Sequence, residues 1–222
     1  MPGPGRSAGT LVAMTDLERI LDDPLGAAAD PSPERRRLAI SMLAGDPRHL
    51  EVVTRALEDP EPRIRAEAAE ALGAMGAPAV RVLLARTEVE TDETAIEALA
   101  AALGEVEDPA AVPWLMEIAA GSHDTLTRET AVASLGAIGD HRALPLLLTL
   151  VAEAPPQVRR RTVVALTVFD GDEVEAAVRS AATDRNPMVR EAAEMIVGRP
   201  VTDWVGVELR RSSVPGEGNL AQ

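Results

Sequence analysis

Three histidines are the side chains of this sequence best suited to act as a general base or a metal ligand near neutral pH. His49, His123 and His141 stand alone and far apart, each near a predicted helix start or turn. The chain has no cysteine, no G-x-S-x-G nucleophile motif and no phosphate-binding glycine loop. The sequence therefore predicts no catalytic residues, no cofactor and no metal site.

A second group with chemical potential is a run of carboxylates between Arg86 and Arg128, where the chain has no arginine and, as everywhere, no lysine. These acids lack the alternating spacing of a calcium-binding loop, which disfavours a metal site. Two interpretations stay open, a solvated acidic face or a docking patch for a basic partner segment. The net charge of -14 disfavours nucleic-acid binding, because neutralising phosphates requires a basic face.

The elements that position these residues are indicated by a recurring pattern of acid, arginine and large apolar residue. The apolar residue of each copy is Leu43, Leu72, Leu103, Leu135, Leu166 or Val197. An arginine stands seven residues before this apolar residue in every copy except the third, which has Ile96. An acid stands six residues before the arginine position in every copy except the fourth, which has Ser122. A period of about 31 residues predicts a solenoid, because no single unit can cover its own apolar face.

The clearest copy runs from Asp59 to Gly76. Asp59 is predicted to be the N-cap of a helix with Pro60 at its first position. Ile64 and Leu72 then lie on one apolar stripe of that helix. The chain has only three aromatic residues, so alanine, leucine and valine must carry the packing, which suits closely spaced helices.

The second helix of each unit resembles the HEAT repeat, in the short bacterial form of the phycobilisome-lyase HEAT-like proteins. The matching segments are IRAEAAEALG from Ile64, TRETAVASLG from Thr127 and VREAAEMIVG from Val189. The resemblance covers residues 15–198 and implies an all-α, right-handed solenoid of about six antiparallel helix pairs. We expect residues 1–14 to be disordered and residues 199–222 to form a tail, in which the alternating stretch around Trp204 predicts a short strand or a cap.

The resemblance also implies a ladder in which the acids and arginines of the repeat run through the stack. Within one repeat it pairs Asp59 with Arg65 and Asp184 with Arg190. The ladder residues that it implies are Asp30, Arg36, Asp59, Arg65, Arg128, Glu153, Arg159, Asp184 and Arg190.

If the second helices line the concave face, as the resemblance implies, their remaining charged and apolar residues form a candidate binding groove. The candidate partner-binding residues are Arg37, Glu67, Glu70, Glu97, Glu129, Arg160, Arg161, Met188 and Met195, with Leu126 and Val164 as further apolar anchors. A solvated set of helix charges is the other interpretation.

The function predicted from these features is a non-enzymatic scaffold or adaptor that binds a protein or peptide of unknown identity. An accessory of a chromophore lyase or of another cofactor-modifying enzyme is the alternative, and it rests on the family resemblance. The sequence has no apolar run long enough for a membrane span and no signal-peptide core. We therefore expect a cytoplasmic protein that is a monomer on its own.

Overall fold

The computed structural model describes residues 17–198, and this part of the chain contains helices and no strand. The helices alternate between two layers. Each first-layer helix packs on the second-layer helix that follows it, and each second-layer helix packs on that of the next repeat. The predicted all-α solenoid is confirmed. The predicted disordered segment 1–14 and the predicted strand or cap at Trp204 lie outside the described residues.

Each repeat contributes one helix to each layer. Residues 17–22 (α1) precede the stack. The first-layer helices are Pro24–Ala27 (α2), Leu50–Ala56 (α4), Val80–Thr87 (α6), Val112–Gly121 (α8), Leu144–Glu153 (α10) and Asp172–Ala181 (α12). The second-layer helices are Pro33–Met42 (α3), Pro62–Gly73 (α5), Glu93–Val106 (α7), Thr125–Ile138 (α9), Pro156–Ala165 (α11) and Pro187–Val197 (α13).

The start of α5 differs from the prediction made for Asp59. The helix begins at Pro62 with Glu61 as its N-cap, so the expected cap at Asp59 is wrong. The Asp59 carboxylate instead accepts the main-chain N–H of Glu61 at 2.9 Å and also faces Arg36. Pro62 takes the first helical position, where the missing N–H leaves no hydrogen bond unmade.

The second-layer helices approach one another most closely at three glycines. A Cβ built on Gly73 would lie 2.9 Å from the Cα of Ala102, and one on Gly136 would lie 2.9 Å from the Cα of Ala165. A Cβ on Gly104 would lie 2.8 Å from the Cα of Ser134. Only a residue without a side chain permits this backbone contact in a closely packed interior.

This close approach has no equivalent in the first layer, where contacts between consecutive helices are much sparser. The stack therefore curves toward its second layer. We call the solvent-exposed side of α3, α5, α7, α9, α11 and α13 the concave face. Behind it, one continuous apolar core runs from Ile40 to Ala193. No helix among residues 17–198 is long and apolar enough to cross a membrane.

Candidate functional site

Three arginines of the second layer bind a carboxylate of the following repeat. Each uses its Nε and Nη2 atoms, so that both carboxylate oxygens are held. The pairs are Arg36 with Asp59, Arg65 with Glu90 and Arg159 with Asp184, and the N–O distances lie between 2.7 and 3.0 Å. Bidentate pairs of this kind are stronger and more directional than single hydrogen bonds.

The third nitrogen, Nη1, binds the main chain within the arginine's own repeat. Arg65 donates to the carbonyl oxygen of Asp59 at 2.9 Å, and Arg190 donates to that of Asp184 at 2.8 Å. The pairing within one repeat that the resemblance implies is thus made to main-chain oxygens, while the carboxylates face the preceding repeat. Each arginine that binds a carboxylate of the next repeat therefore links the turn of that repeat to the turn that precedes its own helix.

Burial makes these pairs sensitive to the loss of either partner. Only 1% of the surface of Arg159 is exposed, and Glu90 is also buried. Burial would raise the pKa of Glu90, but hydrogen bonds from Arg65, the Asp92 main chain and Arg86 outweigh it and hold the pKa well below its usual range. The hydrogen bonds from Arg159 lower the pKa of Asp184 in the same way.

The lowered pKa values predict a loss of stability in acid. A carboxylate with a lower pKa in the folded state stabilises the fold above its unfolded pKa, and this contribution is lost as the pH falls through the folded value. We expect the free energy of unfolding, measured by urea denaturation, to fall as the pH drops below about 4.5. In Glu90→Gln the slope should be shallower by up to about 1.4 kcal/mol per pH unit, because one linked proton is removed. An unchanged slope would contradict the assignment.

The ladder is first interrupted at the two positions where the sequence pattern fails. Ile96 of α7 stands where Arg65 stands one repeat earlier, and Ser122 stands where its acid partner would be. The Ser122 hydroxyl accepts the main-chain N–H of Asp124 at 3.1 Å, as Asp59 accepts that of Glu61. The turn of the repeat is therefore retained at Ser122. The two departures from the sequence pattern, Ile96 and Ser122, together amount to the loss of one arginine–carboxylate pair.

Restoring this pair tests the register directly. Ile96→Arg alone is expected to destabilise the protein by about 1–3 kcal/mol, because it places an unpaired charge at a half-buried site. Ser122→Asp alone should be slightly destabilising. Its carboxylate can accept the same turn hydrogen bond, but it would lie close to Glu93, whose carboxylate oxygen is 3.4 Å from the Ser122 hydroxyl. In the double variant we expect a favourable coupling energy of about 1–3 kcal/mol, measured by urea unfolding of all four proteins. Additive effects would show that the two side chains do not meet.

The other residues assigned to the ladder form no arginine–carboxylate pair between repeats among residues 17–198. Arg128 donates through Nε to the carbonyl oxygen of Ala119 at 2.9 Å, and Glu153 is exposed. Two residues after Glu153 stands Pro155, which has no N–H to donate, so the turn that holds Asp59, Glu90 and Asp184 cannot form there. Asp30 accepts from Ser32 and Arg35. Arg190 has no carboxylate partner among residues 17–198.

The acidic candidate residues meet on the N-terminal half of the concave face. Arg37 of α3 lies 3.5 Å from Glu67 of α5, and Glu97 accepts the Thr130 hydroxyl at 2.8 Å. Glu70 is exposed between them. Its partial burial and the nearby charges of Glu67 and Glu97 raise the pKa of Glu70, and the charge of Arg37 acts against this. Like charges therefore converge here.

The C-terminal half of the concave face carries exposed apolar side chains beside charged ones. Met188 and Met195 of α13 are 52% and 70% exposed, and Val164 of α11 is 48% exposed. Arg160 is exposed and Glu129 of α9 is half-buried. Arg161 is half-buried, and its Nε is enclosed without a hydrogen-bond partner among the described residues.

Several contributing residues were not assigned from the sequence. Glu105 adds to the raised pKa of Glu70, and Val168 extends the apolar half with 54% exposure. Both follow their repeat's large apolar residue by two positions, a periodic signal that could have identified them. Glu90, one of the carboxylates of the acidic run, is buried against Arg65 and Arg86 and belongs to the ladder.

Two of the three histidines make local contacts, and His123 is exposed. His141 lies edge-on to Phe169 with ring centroids 5.5 Å apart, and His49 is 3.6 Å from Asp46. Across residues 17–198 no group of three or more histidine, aspartate and glutamate side chains is arranged to hold a metal ion.

Solved structures share this fold at low sequence identity. A chain in the complex of CpcE and CpcF of phycocyanin lyase from Nostoc sp. PCC7120 is 20% identical, with a TM-score of 0.57 over 68% of this chain and 98% of that chain. A Kap121p mutant is 14% identical, with a TM-score of 0.63 over 79% of this chain and 22% of that one. A designed armadillo repeat protein in complex with the peptide (KR)4 is 12% identical, with a TM-score of 0.50 over 79% and 97%. No curated protein sequence shows a significant match.

The family model of HEAT repeats matches residues 23–104 and 81–167, which together cover more than half of the chain. With the stacked helix pairs seen in the structure, this match shows that the protein belongs to the HEAT-repeat family.

Proposed function

We propose that this protein is a non-catalytic scaffold that binds a segment of a partner protein along its concave face. The observation that carries the proposal is a group of exposed apolar side chains at the C-terminal end of the stack. Val164 lies on α11, Val168 in the 3-10 turn that follows it, and Met188 and Met195 on α13. Side chains of this size are normally turned inward, and a group of them on one face is typical of an interaction surface. Methionine side chains adapt well to partners of different shape.

The fold supports this function physically. A stack of repeats offers a long surface on which an extended ligand can contact several helices at once. The arginine pairs and the glycine contacts hold neighbouring helices in fixed positions, so that side chains on the concave face are preorganised. Preorganisation reduces the entropy lost on binding.

Site-specific photo-crosslinking in the native host tests the proposal. A photoreactive residue in place of Val164 is expected to capture a discrete protein partner. The same residue in place of Arg81, which is exposed on the first-layer helix α6, serves as the matched control. Equal capture at both positions, or capture only at residue 81, would contradict binding on the concave face.

An accessory role in a lyase or another cofactor-modifying enzyme is the second candidate. It is supported only by the similarity in fold to the phycocyanin lyase subunits. Visible absorbance from a tetrapyrrole on the purified protein, or capture of such an enzyme by the Val164 crosslinker, would favour this function.

A further inference from the structure

One position of the repeat forms a continuous row across the concave face, and its chemistry changes along the stack. From the second repeat onward the row consists of Glu70, Ala101, Ala133, Val164 and Met195, each two residues before the repeat's large apolar residue; Ser41 holds this position in the first repeat. Glu70 is acidic, the two alanines are small, and Val164 and Met195 are large, apolar and exposed. We call it the Glu70–Met195 row.

The acidic end of the row lacks enough positive charge of its own. Partial burial and the charges of Glu67, Glu97 and Glu105 raise the pKa of Glu70, and the charge of Arg37 lowers it. Arg65, which belongs to the same helix, has its Nε and Nη2 atoms on Glu90. A cationic side chain from a partner would therefore find carboxylates with unsatisfied charge at this end.

The apolar end carries charges of both signs. Arg160 and Arg161 lie on α11 within one turn of Val164, where they disfavour basic residues of a partner, while Glu191 and Glu194 of α13 are exposed near Met195. The enclosed Nε of Arg161 has no acceptor among the described residues, and a carbonyl oxygen of a bound chain could supply one. The two ends thus select different residues of one ligand.

The length of the row fits an extended segment. Four helix spacings of about 9–10 Å separate Glu70 from Met195, which gives about 36–40 Å. An extended chain advances about 3.3 Å per residue and covers this distance with about 12 residues. A helical ligand at about 1.5 Å per residue would need about 25 residues.

We propose that the Glu70–Met195 row binds an extended segment of a partner protein that carries arginine or lysine at one end and bulky apolar residues at the other. The inference rests on the proposed function and adds the chemistry of the partner. The basic end lies over Glu67, Glu70 and Glu97, and the apolar end covers Val164 and Met195.

Fluorescence anisotropy with the full-length protein and three labelled peptides of about 12 residues tests the proposal. The first peptide has a basic end and an apolar end, the second replaces the basic residues by glutamate, and the third replaces the apolar residues by serine. We expect the first peptide to bind at least about tenfold more tightly than either of the others, with an affinity that falls as salt is raised.

Protein variants assign the two ends. Glu70→Gln/Glu97→Gln should weaken the first peptide and reduce its salt dependence, while Val164→Asp should weaken both peptides that carry apolar residues. Arg81→Ala, on the first layer, is the control that should change neither, and thermal melting followed by circular dichroism checks that each variant is folded.

The outcomes separate this proposal from the proposed function. Equal binding of the basic and acidic peptides, with loss in Val164→Asp, would overturn the partner chemistry and retain the concave face as a binding surface. Absence of binding by all three peptides would overturn the chemistry, while crosslinking at residue 164 decides the scaffold function separately. A dimer in sedimentation that dissociates in Met195→Asp would assign the row to a second copy of the chain and overturn the proposal.

Discussion

Replacing Arg159 by methionine is expected to lower the free energy of unfolding by about 3–5 kcal/mol, the usual cost of removing one partner of a buried ion pair. Methionine fills a similar volume, so the loss comes from the hydrogen bonds rather than from a cavity. Asp184 would keep its charge without the Nε and Nη2 donors, and the carbonyl oxygen of Ala154 would lose a donor at 2.7 Å. Urea denaturation with circular dichroism measures the change.

Arg160→Met provides the matched control, because this neighbouring arginine is exposed. A change within about 0.5 kcal/mol is expected for it. Arg159→Met combined with Asp184→Leu should recover part of the stability, since no buried charge then stays unpaired. Full recovery is not expected because Asn186 loses the acceptor of its main-chain N–H. Equal effects of Arg159→Met and Arg160→Met would contradict the structural role of the ladder.

Gly104→Ala is expected to destabilise the protein by about 2–3 kcal/mol, although alanine favours a helix over glycine by about 1 kcal/mol. The added Cβ would lie 2.3 Å from the Oγ and 2.8 Å from the Cα of Ser134. Helices α7 and α9 would have to separate, and the hydrogen bond from the Ser134 hydroxyl to the carbonyl oxygen of Ala100, 2.7 Å long, would be strained. Urea denaturation again provides the measurement.

Gly121→Ala makes the same chemical change where there is room. No atom lies within 4 Å of the Cβ position at Gly121, the last residue of α8. This variant should be neutral or slightly more stable. Gly104→Ala/Ser134→Gly should recover part of the loss, because the serine side chain that obstructs the new Cβ is gone and only the main chain of position 134 still lies close. A stabilised Gly104→Ala protein would disprove the close approach of the two helices.

The period of the sequence was enough to predict the architecture. Leucine and arginine recur at fixed distances because each helix pair buries the same face against its neighbours. This requirement produces the regular period in the sequence. The HEAT resemblance also identified most arginines of the ladder. Sequence spacing did not indicate that Arg65 binds Glu90 of the next repeat, because the direction of a guanidinium group depends on how two turns are placed in space.

The departures from the pattern were harder to interpret from the sequence. Ile96 and Ser122 lie in different repeats and looked like two unrelated irregularities, since their common origin lies in a contact between repeats. Asp59 was assigned as a helix cap because its type and the following proline fit one, yet the arginine of the preceding repeat binds its carboxylate. The chemistry of the concave face was predicted only in part. The period of the repeat marks the position that Glu105 and Val168 share, but the exposure of that position depends on how the helices stack.

Each paired arginine of the ladder binds a carboxylate of the following repeat. This pairing determines which repeats can be deleted without leaving an arginine opposite a residue that cannot bind it. Deleting the repeat that contains Asp59 and Arg65 would bring Arg36 opposite Glu90, so a compatible pair would form across the new junction. Deleting the next repeat, which contains Glu90 and Ile96, would bring Arg65 opposite Ser122 and leave the Arg65 guanidinium without a carboxylate partner. The repeats are therefore not interchangeable modules, and shortening this protein by design should begin at the junction after Arg36.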